Sequence, residues 1–267
     1  MSENYCKLTK ILIPIETASG ERRVSATPGA VKKLKSLGCE VFVESSAGEL
    51  SGFNDTLYKE SGGEIVSESN INIWEKVDIV FCVQIPSESN LGHLKKGAIL
   101  LGLLDPYSNE KLKKTITSKK ISALSMELLP RISRAQSSDV LSSQANIAGY
   151  KAVLLAASEL DRYFPMLMTA AGTVQPAKVV VLGGGVAGLQ AVATAKRLGA
   201  IVFVSDIRPA VKEQVESLGA RFIELPEVDE KPGEAGGYAK AVTPEFLSKQ
   251  KATLTKYLSE ADVAICT

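Results

Sequence analysis

Residues 178–208 read KVVVLGGGVAGLQAVATAKRLGAIVFVSDIR, and the order of residue types in this stretch decides how the rest of the chain is read. Val179, Val180, Val181 and Leu182 form a continuous apolar run, the pattern of a strand buried on both faces. Gly183, Gly185 and Gly188 follow in the order G-x-G-x-x-G, and an Ala-, Leu- and Val-rich segment over 187–198 predicts a helix that Gly199 stops. In such a strand-turn-helix unit the first glycine makes the turn and the second lets a pyrophosphate approach the backbone. The third lets the helix pack close to the sheet, and the phosphates sit on the free N–H groups of the helix N-terminus.

A lone glycine motif is weak, but a second apolar run over 201–205 ends in Asp206. That places a carboxylate about 20 residues on, where one takes the hydroxyls of the adenosine ribose. The bland alternative is a structural turn beside a solvated aspartate. A carboxylate there repels a ribose 2′-phosphate, which favours NAD over NADP. Arg208 pulls the other way, since an arginine can receive that phosphate; it also reads as a solvated charge opening the next helix.

With 267 residues the chain suits two domains of ordinary size. Hydrophobic residues at 45% and charged residues at 23% describe a globular protein with a sizeable core. A net charge of +1 gives no reason to expect nucleic acid or an anionic membrane surface as partner. Cys6, Cys39, Cys82 and Cys266 lie far apart without metal-ligand spacing, and three fall in or beside apolar runs, so reduced core thiols are expected and no metal. No stretch approaches the roughly 18 to 20 apolar residues of a membrane span.

Apolar runs at 10–14, 40–44, 64–66, 78–84, 98–104 and 121–126 read as strands. Helical patterns lie between them, among them 28–37, with Thr27 as N-cap and Val31, Leu34 and Leu37 as its stripe, and 109–118. This alternation argues for a mostly parallel α/β sheet. Residues 137–163 read as one long helix capped by Ser137 or Ser138, with Val140, Ile147, Val153 and Leu154 on its buried face and Gly149 as a weak point. After Asp206 a helix over 209–218, a strand over 221–225 and a helix from Pro244 to about Ser259 complete the pattern. Residues 226–242, PEVDEKPGEAGGYAKAV, are too polar to pack and read as a disordered segment or a functional lid. The expected fold is therefore α/β, with two domains of mostly parallel sheets. An N-terminal domain over 1–136 and a connecting helix over 137–165 precede a Rossmann dinucleotide domain over 166–267. The last strand, 262–267, falls where such a domain normally continues, so a fragment incomplete at its C-terminal end is expected.

The second informative stretch, 131–150, is RISRAQSSDVLSSQANIAGY, with Arg131, Arg134, Gln136 and Asp139 within nine residues. Guanidinium, amide and carboxylate groups suit a ribose or carboxamide at a cleft edge; equally, the loop reads as a helix cap in which Arg131 and Asp139 pair.

Taken with ERRVSATP (21–28), VVVLGGGVAGLQA (179–191), SDIRPAVKEQVESLGA (205–220) and GGYAKAV (236–242), the segment 130–153 resembles the NAD(H)-binding first domain of proton-translocating nicotinamide nucleotide transhydrogenases. These belong to a wider group that contains alanine dehydrogenases, and the resemblance runs from about Lys10 to the last residue. It implies NAD(H) on this chain and NADP(H) on a partner domain of the same enzyme. It also implies a proton-translocating membrane domain not in this chain, a homodimer, and a place at the soluble face of an energy-transducing membrane, without insertion of this chain. Arg131, Gln136 and Asp139 then match the group that holds the nicotinamide end, and Tyr238 a loop that closes over the nucleotide. The cofactor-binding set is Gly183, Gly185, Val186, Ala187, Gly188, Asp206, Ile207, Arg208, Ser137, Ser138, Ser142, Gly237 and Tyr238.

The implied chemistry is direct hydride transfer between NADH and NADP+, which needs no general acid or base. What is needed is position, with the two rings roughly 3 to 3.5 Å apart and shielded from water. An alanine dehydrogenase-like oxidoreductase is the competing expectation, with Arg23 in its ERRVSATP position. That chemistry needs a lysine and a histidine, which would fall near Gln84 and Asp105, and neither functional group is there. Arg23 then reads as structural and carboxylate-paired, or as an inherited anion site. A third expectation is an NAD-binding module without turnover of its own.

Overall fold

The computed structural model describes residues 8–67, 71–225 and 244–267. The chain divides into two compact units at Val140/Leu141.

The first unit alternates strands and helices: β1 (Lys10–Ile13), α1 (Pro28–Ser36), β2 (Glu40–Glu44), α2 (Asp55–Glu60), β3 (Glu64–Val66), α3 (Asn72–Lys76), β4 (Ile79–Phe81), α4 (Glu88–His93), β5 (Ile99–Gly102), α5 (Glu110–Lys119) and β6 (Ser122–Ser125). The six strands are parallel in the order β3-β2-β1-β4-β5-β6. The order reverses between β1 and β4, which opens a crevice at their C-terminal ends. Thr27 caps α1 as its composition predicts, its hydroxyl accepting the N–H of Ala30 at 3.3 Å. Alternating side chains of each strand reach the two faces of the sheet, so β1 sends Leu12 into a cluster with Phe42, Trp74, Val80 and Leu100. Ile13 goes into a second cluster with Val31, Val43 and Tyr58.

The second unit begins with α6 (Val140–Glu159) and a hairpin, β7 (Leu167–Thr169) and β8 (Gly172–Val174), paired antiparallel. Then follow β9 (Lys178–Leu182), α7 (Val186–Arg197), β10 (Ile201–Ser205), α8 (Val211–Ser217), β11 (Arg221–Phe222), α9 (Pro244–Ser259) and β12 (Val263–Cys266). The sheet is parallel in the order β11-β10-β9-β12, with its reversal between β9 and β12. Val179, Val181, Val202 and Val204 fill the core with Ala191, Val192 and Ala195 of α7. The small residues on that helix face let it lie close to the sheet.

Several expectations are corrected. The long helix starts at Val140, because residues 133–138 form a 3-10 helix for which Asp139 is the C-cap, so neither Ser137 nor Ser138 caps α6. Ile147 is exposed, whereas Val153 is fully buried, and Gly149 is a point of close backbone contact rather than a weak one. Leu37, placed on the buried stripe of α1, is the C-cap of that helix and is exposed. Cys82 is buried and Cys39 half-buried, but Cys266 is exposed. Among the described residues no helix is long and apolar enough to cross a membrane.

Candidate dinucleotide site

The loop between β9 and α7 is shaped by three adjacent glycines, each for a different physical reason. Gly183 has φ +102°, a conformation L side chains rarely adopt, and its own N–H donates to Ser205 O at 2.8 Å, tying the loop to the end of β10. A Cβ on Gly184 would meet Val211 Cγ1 of α8 at 2.3 Å. Gly185 differs: its φ is −75° with an extended ψ, any residue could adopt it, and a Cβ there would meet nothing within 4 Å among the described residues. Among the described residues nothing gives a packing or backbone reason for glycine at this position; what the missing side chain leaves clear is the space in front of the helix.

That space faces the N-terminus of α7, a helix of 12 residues whose N-cap is Gly185 itself, with no side-chain cap and no acidic residue in the first turn. Its first N–H groups and positive dipole end therefore remain available to an anion. Gly188 lies one turn into α7, where a Cβ would sit 1.9 Å from Gly183 O, so the helix meets its own loop backbone there. Val186 is exposed beside this N-terminus, and Ala187 carries a second close approach: a Cβ on Gly149 of α6 would be 2.0 Å from Ala187 O. Asn146 Nδ2, one turn earlier on α6, donates to Gln190 Oε1 at 3.0 Å. Thus α6 is pressed onto the first turn of α7, and Gly149 makes room for it.

Asp206 follows β10 and turns back toward the loop, where the Gly184 N–H donates to its Oδ2 at 2.7 Å. Arg208 completes its shell: its backbone N and Nε donate to Oδ1 at 2.8 and 2.9 Å, and Nη2 donates to Oδ2 at 2.9 Å. Burial alone would raise this carboxyl, but the Arg208 and Gly184 donors outweigh it and hold it below its ordinary value. Ile207 is exposed next to it. Sequence reasoning misses Gly184, Gly149 and Asn146. The triple glycine is the available signal for the first, while nothing local marks the other two.

In the first unit, Arg131 and Gln136 are exposed on the segment after β6. Gln136 belongs to the 3-10 helix with Ser137 and Ser138, and its carbonyl accepts the N–H of Asp139 at 3.2 Å. Ser142 stands in the first turn of α6. Gly237 and Tyr238, with the whole of 226–242, lie outside the described residues.

The crevice of the first unit, at the ends of β1 and β4, is filled by the chain's own groups. Glu16 accepts the N–H of Val83 and Gln84 at 2.5 and 2.9 Å. Glu21 takes Arg23 in a bidentate pair, Nε at 2.8 Å and Nη2 at 2.6 Å, and also accepts Gln84 Nε2 at 3.1 Å. Arg23 is thus carboxylate-paired, and no lysine or histidine stands at Gln84 or Asp105 to form or protonate an imine. The Glu21 carboxyl is held down to about 2, chiefly by the Arg23 side chain against the opposing effect of burial. Its folded-state value is depressed, so its stabilisation is fully present above pH 4.5 and is lost as the pH falls toward 2. In chemical unfolding of wild type and Glu21→Gln, the wild-type advantage of about 2 kcal/mol at pH 6 should vanish near pH 2. An advantage that persists unchanged at that acid limit refutes the pair.

Comparison with known proteins finds relatives of both units. The family described as "Alanine dehydrogenase/PNT, N-terminal domain" matches residues 12–148, and "Alanine dehydrogenase/PNT, C-terminal domain" matches residues 152–267. A Rhodospirillum rubrum protein, the first portion of an NAD(P) transhydrogenase alpha subunit, is 49% identical over 264 residues, covering 97% of this chain and 68% of the relative. The crystal structure of a transhydrogenase from Sinorhizobium meliloti superposes with a TM-score of 0.85 at 43% identity, over 96% of this chain and 69% of that one. An L-alanine dehydrogenase structure follows with a TM-score of 0.70 at 28% identity, over 80% and 60% of the two chains.

Proposed function

The chain belongs to the alanine dehydrogenase/PNT family, and from that premise we propose that it is the NAD(H)-binding component of a nicotinamide nucleotide transhydrogenase. In that role it supports direct hydride transfer between NADH and NADP+, the latter on a separate domain, coupled to proton translocation by a membrane domain. Gly185 carries the reading: it is the loop glycine that the fold itself does not require, at the open N-terminus of α7.

NADH, when bound, supplies the hydride. The chain's residues bind and orient. The N–H groups of Gly183 and Gly184 are taken within the loop, so the start of α7, from Gly185 through Val186 and Ala187, offers its backbone N–H groups to the pyrophosphate, with Gly188 allowing the helix to approach, and Asp206 with Ile207 holds the adenosine end. Arg131, Gln136 and Asp139, with Ser137, Ser138 and Ser142 beside them, hold the nicotinamide end, where guanidinium, amide and carboxylate together fix the orientation of a planar carboxamide. No proton is exchanged with the rings, so the rate depends on alignment. The enzyme works as a homodimer at the soluble face of an energy-transducing membrane. The exposed apolar side chains of the β7–β8 hairpin, Leu167 and Met168 among them, give such a dimer a surface to bury.

The test is a titration of wild type and Gly185→Ala with NADH. Trp74 is buried in the core of the first unit, so binding is read from the fluorescence of the nucleotide. Wild type should bind NADH, and transfer hydride only once an NADP(H)-binding domain is added. Gly185→Ala should melt within about 4 °C of wild type, since only a modest cap change is made, yet lose NADH binding at least tenfold. Equal NADH affinity in both proteins refutes the reading.

A further inference from the structure

Asp206 does not wait empty for a ligand. Its carboxylate is only 6% exposed and offers about four lone-pair sites. All four are in use: two by the backbone N–H groups of Gly184 and Arg208, and two by the Arg208 guanidinium. A ribose diol needs two acceptor sites on that carboxylate. The backbone donors are fixed by the loop and by the turn after β10, so only the guanidinium can yield. Its side chain is 52% exposed and has solvent to move into.

Resting on the dinucleotide reading above, we propose that Arg208 is an internal occupant of the ribose subsite, displaced by the diol, and that it sets the discrimination between free and phosphorylated 2′ positions. The fork of Nε–H and Nη–H presents to Asp206 the same pair of donors that a cis-diol presents. The guanidinium end of the pair is half exposed, so water can take up its hydrogen bonds when the diol displaces it, and the bidentate hold on Asp206 lowers the affinity for NADH by competition. For a 2′-phosphorylated ribose the same side chain acts in the opposite sense. Once it turns outward it meets the phosphate bidentately, a geometry that guanidinium favours, and its charge offsets the repulsion between the phosphate and Asp206. Arg208 therefore weakens the preferred nucleotide and tolerates the other, which is the reverse of what a simple NADH ligand does.

The experiment measures NADH and NADPH binding to wild type, Arg208→Ala and Arg208→Gln, with thermal unfolding as the check that each is folded. Both variants should bind NADH about 3- to 10-fold more tightly and NADPH at least 10-fold more weakly, widening the ratio roughly 30-fold or more. Weaker NADH binding in both folded variants, or an unchanged ratio, overturns the proposal while leaving the dinucleotide reading in place. A folded wild-type chain that binds neither nucleotide overturns both, and that outcome is visible before any variant is made.

Discussion

Gly188→Ala should destroy NADH binding and destabilise the second unit by about 3 kcal/mol or more, the upper range for overpacking. The added Cβ would lie 1.9 Å from Gly183 O, 2.9 Å from Gly183 C and 3.1 Å from Thr267 Oγ1. The first two are backbone atoms of a turn that Gly183 holds at φ +102° and that hydrogen bonds tie to β10, so they have no flexible end that can move aside. Relief requires α7 to shift away from β9. That shift would drag the helix N-terminus off the loop and loosen the contacts of Ala191, Val192 and Ala195 with the sheet. Circular dichroism melting and an NADH titration on the same preparation check both halves of the expectation. Wild-type stability in Gly188→Ala would mean that helix and loop are not in contact as described.

The second large effect is expected at Gln136. Replacing it with asparagine draws the amide back by about 1.5 Å, one C–C bond, while leaving its chemistry and the exposed 3-10 helix around it unchanged. Misplacement on that scale costs on the order of 10²-fold in a reaction that depends on alignment. Gln136→Asn should therefore lower hydride transfer by about that factor with the partner domain present. NADH affinity should stay within about twofold, because the pyrophosphate and ribose contacts lie elsewhere. Stopped-flow transfer and equilibrium binding separate the two. An unchanged transfer rate, or a loss confined to binding, removes the aligning role.

How much of this is legible in the sequence follows from whether a feature is local in the chain. The β9 loop, α7 and Asp206 are readable because every group involved falls within 31 residues, and because buried parallel strands and glycine turns leave contiguous signatures. Arg23 is legible as a paired group, and its partner proves to be two residues away. Gly149 is misread, since its reason for being glycine is Ala187, 38 residues later, and no local pattern announces a backbone contact at that distance. The start of α6 is misplaced by three residues because Ser137, Ser138 and Asp139 suit a tight 3-10 turn as well as a helix cap. The β7–β8 hairpin goes unread because three-residue strands with mostly exposed side chains show no alternation, and α3 is only five residues long. Asp206 is readable as to place but not as to state, because a side chain that answers its own ligand site cannot be inferred from spacing.

The two sheets follow the same winding but differ in who provides the negative charge at the reversal. In the first unit Glu16 is a tethered anion, bound to the amides of Val83 and Gln84 whatever the medium contains. In the second, α7 has no side-chain cap and no acidic residue in its first turn, and on the reading proposed above its amides take the pyrophosphate. On the dinucleotide reading proposed above, mass action lets the supply of nucleotide add to the resistance of the second half to opening and proteolysis. The chain thus carries one sheet reversal closed by its own carboxylate and, on that reading, one that a nucleotide closes.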